Sequence, residues 1–308
     1  MNNHTDGVLP LWKPAGMTSF KAVLEVKKLF ATKKAGHTGT LDPDVDGVLP
    51  VCLGRGTKIV EYLTAQRKTY AGEVTLGYST TTEDASGETV EQKEVDRPIT
   101  TEEVENLLHS LKGDIKQTPP MYSAVKVNGK KLYEYAREGK TIDRPERTVT
   151  IYSINLTSNI ETTEDNLVRF QFEVTCSKGT YIRTLSVMIG EMLGYPAHMS
   201  KLTRTQSGSF HEGDCFTFDE LNELQDQGKL HESLLSLEYA LKEYPTEIID
   251  DETEKKVRNG AILPQTKKIM DEPLLALYNR HGECLALYEK HSKRHGMMKP
   301  AKMLITND

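Results

Sequence analysis

Residues 168–176 alternate strictly: Val168, Phe170, Phe172, Val174 and Cys176 are separated by Arg169, Gln171, Glu173 and Thr175. A period of two is that of a strand with one buried face. A second alternation sets Tyr70, Val74, Leu76 and Tyr78 against Ala71, Glu73, Thr75 and Gly77, which predicts a half-buried strand opening just after Arg67-Lys68. Helical spacing takes over at Val23, Val26 and Phe30. Thr18 or Ser19 can cap that helix, which is predicted to run to about Ala31. Thr100 and Glu103 form a capping-box pair ahead of Val104, Leu107, Leu108 and Leu111, the signature of a further helix. After the turn Ser177-Lys178-Gly179-Thr180, Ile182, Leu185, Ile189 and Met192 again have helical spacing. Arg183 is thereby expected near a helix start, just past a strand end.

The stretches between these elements organise the chain. Gly36-His37-Thr38-Gly39-Thr40-Leu41-Asp42-Pro43 is too rich in glycine, and ends too abruptly at proline, to continue the first helix. Residues 117–147 are polar, basic and weakly periodic, which suggests an insertion or mobile loop. A break falls at Glu243-Tyr244-Pro245-Thr246. Beyond it Asn259-Gly260 is suited to close a helix, and Leu275–Tyr278 and Leu285–Tyr288 flank Gly282 as a hairpin would. The expected division is a large domain over 1–242 and a small β-rich one over 245–308. No apolar run approaches the roughly 18 residues of a membrane helix. The opening Met1-Asn2-Asn3-His4-Thr5-Asp6 has neither the basic nor the apolar region of a signal peptide, so a soluble, cytoplasmic protein is expected.

A net charge of −6 over 308 residues argues at first against a polyanionic partner. The distribution changes that picture. Residues 1–70 carry ten positive and six negative charges, and residues 111–150 carry nine and five, whereas 71–110 hold two against ten and 209–240 one against eight. Near the end Lys290, Lys293, Arg294, Lys299 and Lys302 follow one another with no acid between them. Folding could gather these segments into one positive face, with the acid excess away from the chemistry. Cys52, Cys176, Cys215 and Cys284 form no C-x-x-C pair. Neither a disulfide framework nor a zinc site is suggested, and buried thiols are expected.

Three local motifs are weaker than they look. Asp42-x-Asp44-x-Asp46-Gly47 matches the first half of a calcium loop, but the bidentate position is Leu53 and apolar Val48-Leu49-Pro50-Val51 replaces ligand positions. Gly54-Arg55-Gly56-Thr57-Lys58 and Lys178-Gly179-Thr180 lack the spacing of a phosphate-binding P-loop. His37 has no second ligand at metal-binding spacing nearby. No metal or cofactor is expected.

The combination is stronger. Lys13-Pro14-x-Gly16-x-Thr18-Ser19, the Gly36–Pro43 loop, Lys68-x-Tyr70, Gln117-x-Pro119-Pro120-x-Tyr122-Ser123-Ala124 and Cys176-Ser177-Lys178-Gly179-Thr180-Tyr181-Ile182-Arg183-Thr184 occur in this order. Together they closely resemble the TruB-type tRNA pseudouridine synthases over about residues 7–210. The resemblance implies an α+β fold with a mixed, largely antiparallel sheet and flanking helices, followed by a small PUA-like β-barrel. It implies isomerisation of uridine 55 in the T loop of tRNA, by base flipping and exchange of the glycosidic bond. Asp42 matches the catalytic aspartate, Arg183 the arginine that pairs with it, and Tyr70 the tyrosine that stacks on the target base. Tyr181 and Leu202 would complete the pocket wall, and His37 would contact RNA. The insertion would grip RNA, with Lys126, Lys130 and Lys131 on phosphates. A monomer acting without a protein partner is expected. The competing readings are a non-catalytic RNA-binding or RNA-folding protein on the same fold, a synthase acting on another RNA or with a guide RNA, and a calcium-binding regulator.

Overall fold

Alternation along 168–176 becomes the strand Val168–Cys176, whose alternate apolar side chains are all buried. The structure, a computed structural model, describes residues 5–305; Met1–His4, read above for a leader, lies outside them. Two compact units divide the chain, one formed by 1–65 with 206–308 and the other by 66–205.

In the 66–205 unit the strands run in the order Ala197–Ser207, Lys68–Leu76, Val168–Cys176, Arg147–Leu156, Gly113–Gln117. The register pairs Tyr70 with Val174 and Gly72 with Phe172, antiparallel. Phe172 explains Gly72: a Cβ there would lie 2.7 Å from the tip of the ring. The helices Thr101–Ser110 and Ile182–Leu193 cover the apolar face with Val104, Leu107 and Leu108, and with Ile182, Leu185, Ile189 and Leu193. Gly190 lets the second helix close on its own continuation, since a Cβ would meet that of Ala197 at 2.2 Å. Thr100 caps the first helix by accepting from the Glu103 N–H, while the Glu103 carboxylate pairs with Arg97.

Three expectations are corrected here. The strand predicted to reach Tyr78 stops at Leu76, because Gly77 takes φ 119° and Tyr78–Thr80 turns to pair with Thr89–Gln92. Met192 has helical spacing but is 52% exposed. The insertion is ordered: Lys126–Val127 and Lys130–Lys131 form a hairpin across Asn128-Gly129, both at positive φ, as a two-residue turn of mirror type requires. It leads into the helix Leu132–Arg137, anchored by fully buried Leu132. Elements of two to six residues are too short to show a period.

In the other unit Gly7–Lys13 and Ala35–His37 both pair antiparallel with Asp46–Leu53. The glycine-rich stretch expected to be all loop thus begins as a strand. Thr18 caps the helix Ser19–Leu29, accepting from the Lys21 N–H, and Ala22, Val23 and Val26 face inward. The hairpin Leu274–Tyr278 with Cys284–Lys290 forms as predicted, and the helix Asp251–Arg258 closes at Asn259 with Gly260 at φ 66°. Their five-stranded sheet runs Thr246–Ile248, Leu274–Tyr278, Cys284–Lys290, Met297–Met303, Leu263–Pro264. Its first pairing is parallel and the rest antiparallel. No pairing among the described residues joins the two edges, so the expected barrel is an open sheet. One side shares a core with the start of the chain, where Val48, Cys52, Ile59 and Leu63 pack with Ala276, Leu287 and Leu304. Among the described residues no helix is long and apolar enough to cross a membrane.

Candidate functional site

Asp42 sits on a turn that is fixed on both sides. Before it, Ser19 Oγ accepts from the Leu41 N–H at 2.8 Å and donates to the Leu41 carbonyl at 3.0 Å. After it, the ammonium of Lys13 donates to the carbonyls of Pro14, Met17 and Pro43 at 2.7, 2.6 and 3.1 Å. Lys13 is fully buried. A charge in that position is tolerable only when its donors are satisfied, and three carbonyls match its three hydrogens. The Asp42 carbonyl accepts from the Val45 N–H, and the Thr38 N–H reaches the Pro50 carbonyl. Asp42 itself is half-buried, between buried Leu41 and exposed Pro43. His37 lies opposite Val51 in the short strand, and its Nδ1 accepts from the Gly39 N–H.

The calcium reading fails on geometry. Asp46 already opens the strand Asp46–Leu53, whose Val48, Leu49 and Val51 are fully buried. The described residues contain no group of three or more side chains able to hold a metal ion.

In the 66–205 unit Arg183 enters at the first turn of Ile182–Leu193 and is 6% exposed. One guanidinium nitrogen donates to the Thr82 carbonyl at 3.0 Å, and the other to the Tyr122 carbonyl, in the insertion, at 2.9 Å. The Asp84 carboxylate stands 3.7 Å away. Its other oxygen accepts from Thr82 Oγ1 and from the hydroxyl and N–H of Ser86, which fixes the loop. Beside it Glu83, at φ 63°, accepts from Thr184 Oγ1. Burial pushes the Glu83 carboxyl above its ordinary range, against the opposing effect of that hydrogen bond. The acid excess of 71–110 therefore does not all lie away from the chemistry, as the charge pattern suggested; Asp84 faces the predicted catalytic arginine.

Tyr181 occupies the N-cap position of the same helix. The buried amide of Gln117 grips its backbone, Oε1 accepting from the Tyr181 N–H at 3.0 Å and Nε2 donating to the Tyr181 carbonyl at 3.2 Å. The Arg147 guanidinium lies 5.4 Å from the centre of the Tyr181 ring. Tyr70 and Leu202 are both half-buried, on the strands Lys68–Leu76 and Ala197–Ser207. Of the insertion lysines Lys126 is exposed, Lys130 pairs with Glu138, and Lys131 stands 5.3 Å from the centre of the Tyr133 ring. Lys299 and Lys302 near the end are likewise paired, with Glu289 and Glu61, so the basic segments are partly neutralised locally.

Sequence reasoning named Asp42, Tyr70, Tyr181 and Arg183 but not the side chains that hold their backbones or head groups. Lys13, Ser19 and Gln117 stood inside motifs without a role. Asp84 had no signal beyond its place in a Thr-rich acidic stretch.

Comparison with known proteins places the chain in a family. The TruB family pseudouridylate synthase N-terminal domain matches residues 27–182, and the tRNA pseudouridylate synthase B C-terminal domain matches 183–242. The protein called tRNA pseudouridine synthase B of Bacillus subtilis (strain 168) is 55% identical, over 97% of this chain and 98% of its own. That of Bacillus cytotoxicus is 52% identical, over 98% of each. Among solved structures, a Cbf5-Nop10-Gar1 complex contains a chain with TM-score 0.76 and 28% identity, covering 98% of this chain and 86% of that one. A structure of an H/ACA RNP bound to a substrate RNA gives TM-score 0.73 and 25% identity, covering 99% and 87%. With two adjoining family domains and relatives matched almost end to end, the chain belongs to the TruB family of pseudouridylate synthases, which are isomerases.

Proposed function

We propose that the chain converts uridine 55 in the T loop of tRNA to pseudouridine. The target nucleotide is flipped out of the loop, which costs a few kcal/mol. The N1–C1′ bond breaks, the uracil turns, and a C5–C1′ bond forms while the C5 proton leaves and N1 ends protonated. Asp42 serves as nucleophile or base in that exchange. Arg183 holds the Asp42 carboxylate ionised, Tyr70 stacks on the base, and Tyr181 and Leu202 complete its pocket. Stacking on an aromatic contributes roughly 1–3 kcal/mol per base, enough to offset much of the flipping cost. His37 contacts the RNA.

The observation that carries this reading is the double fixation of the Asp42 turn by Ser19 and Lys13. A carboxylate that must exchange a glycosidic bond gains from a backbone that cannot relax around it, whereas a loop that only binds RNA needs no buried lysine beneath it. Residues 117–147 grip the T arm, with Lys126, Lys130 and Lys131 toward phosphates, and 245–308 act as a PUA-like RNA-binding domain. The protein works in the cytoplasm as a single chain, without guide RNA or cofactor. Identity of 52–55% over nearly the whole length to proteins called tRNA pseudouridine synthase B supports tRNA over another RNA. The test is to incubate unmodified tRNA with wild type and with Asp42→Asn and to map modified uridines. Pseudouridine at position 55 with wild type alone is expected; an active Asp42→Asn protein would sink the assignment.

A further inference from the structure

We propose a second RNA-phosphate site, in a cavity of the unit formed by 1–65 and 206–308, far from the Asp42 turn. The proposal rests on the reading that the substrate is tRNA. The cavity measures about 1360 Å³, and Lys34, Arg55, Lys58 and His231 contribute to its wall. Asp6 is the one carboxylate among the described residues lining it, and that charge is already engaged: its oxygens accept from the Arg55 N–H at 2.7 Å and from Arg55 Nε at 2.6 Å. The cations are less committed. Lys58 makes one long bond, 3.3 Å, to the Leu304 carbonyl. Among the described residues no hydrogen bond or ion pair uses the Lys34 ammonium, the His231 ring or the terminal nitrogens of Arg55. An excess of positive charge with spare donors, in a space of this size, suits several phosphates rather than one.

The site is distinct from the chemistry. Asp46 begins the strand next to the Asp42 turn, and Leu53 ends it at Gly54-Arg55. Eight residues of strand span about 25 Å, so a ligand here touches RNA well away from the target uridine. Among the described residues the charged side chains of the wall are Lys34, Arg55, Lys58 and the engaged Asp6, a set suited to phosphate oxygens. The proposed contact is to the phosphate backbone, which positions RNA without reading its sequence. It also gives the Gly54-Arg55-Gly56-Thr57-Lys58 motif a role. A Cβ at Gly54 would lie 2.1 Å from the Asp6 carboxylate, and one at Gly56 2.3 Å from the Gly7 carbonyl. The glycines let the segment press onto the first strand, which sets Arg55 and Lys58 along the cavity.

The test compares full-length tRNA with an isolated T-arm hairpin, using Lys34→Ala/His231→Ala. Both side chains are exposed and bond to no described residue, so the double variant should fold. Affinity for full-length tRNA should fall about tenfold, with the log–log salt slope reduced by about 1 for the loss of the Lys34 charge. Affinity for the hairpin, and the single-turnover rate at saturating RNA, should match wild type. Equal losses for both RNAs, or no loss for either, would overturn the proposal. So would competition by inorganic phosphate alone while the variant binds full-length tRNA like wild type, which assigns the cavity to a small anion. Binding is read independently of turnover, so a wild-type protein that bound tRNA without isomerising it would fail the function reading and leave this comparison intact.

Discussion

The hydroxyl of Ser19 closes on both backbone groups of Leu41, accepting from its N–H and donating to its carbonyl. Both residues are buried, and Asp42 is the next residue in the chain. In Ser19→Ala these two groups lose their partner, at about 1–3 kcal/mol for each left unsatisfied. The turn would recover part of that by shifting, and the carboxylate would shift with it. Ser19→Ala is expected to lower the single-turnover rate about 10- to 100-fold with RNA affinity within about twofold of wild type, since misplacement of about 1 Å costs on the order of 100-fold. Ser19→Thr should restore part of the rate. An unchanged rate in Ser19→Ala would show that the turn is held without the hydroxyl.

Arg183 is held by carbonyls from two different loops, Thr82 and Tyr122, with Asp84 beside it. A lysine has one head group where arginine has a planar fork, so Arg183→Lys cannot reproduce the two carbonyl bonds in their present geometry. The expected result is a rate loss of about 100-fold or more with RNA binding largely kept. Asp84→Asn keeps the shape and removes the nearby charge. It should lower the rate about 10-fold, a smaller effect because the contact is long and both carbonyls remain. A rate for Asp84→Asn lower than that for Arg183→Lys would reverse the roles assigned to them.

The elements that sequence made visible are those whose burial repeats over many residues. Val168–Cys176 and Ile182–Leu193 were legible because each commits one face to the core over two or more repeats. The end of Lys68–Leu76 was not, since Tyr78 keeps the alternation while Gly77 turns the backbone. The insertion's hairpin and short helix were hidden by their length. At the site, side chains that bear charge or rings stood out as motifs. Ser19 and Gln117 act through hydrogen bonds to the backbone of residues 22 and 64 positions away, and no local pattern encodes a partner at that distance.

Glu83 gives a pH dependence with a definite sign. Burial raises its folded-state pKa above the ordinary glutamate value, so the folded protein holds that proton more tightly than the unfolded chain. The stability it contributes is complete below the unfolded value of about 4.3 and is lost as pH rises through the raised folded value. Glu83→Gln keeps an acceptor for Thr184 Oγ1 and removes the titration. The variant should equal wild type near pH 4 and be more stable at pH 7.5, with Tm higher by about 2–4 °C. Melting curves that stayed parallel across that range would mean that Glu83 is not desolvated in solution.

The four cysteines should separate by reactivity. Burial pushes the thiols of Cys52 and Cys284 up to about 12 and that of Cys176 up to about 11, and all three are almost wholly enclosed. Only the thiolate attacks an alkylating reagent. At pH 8 these three are therefore protected twice, by protonation and by access. Cys215 is half-buried at the end of a short helical turn. Native protein treated with iodoacetamide at pH 8 should lose one thiol first, identified by mass spectrometry as Cys215. The remaining three should react at least about 100-fold more slowly until denaturant is added. Modification of Cys52 or Cys284 at the Cys215 rate would show that their shared core, which joins the first strands to the C-terminal sheet, opens readily in the native state.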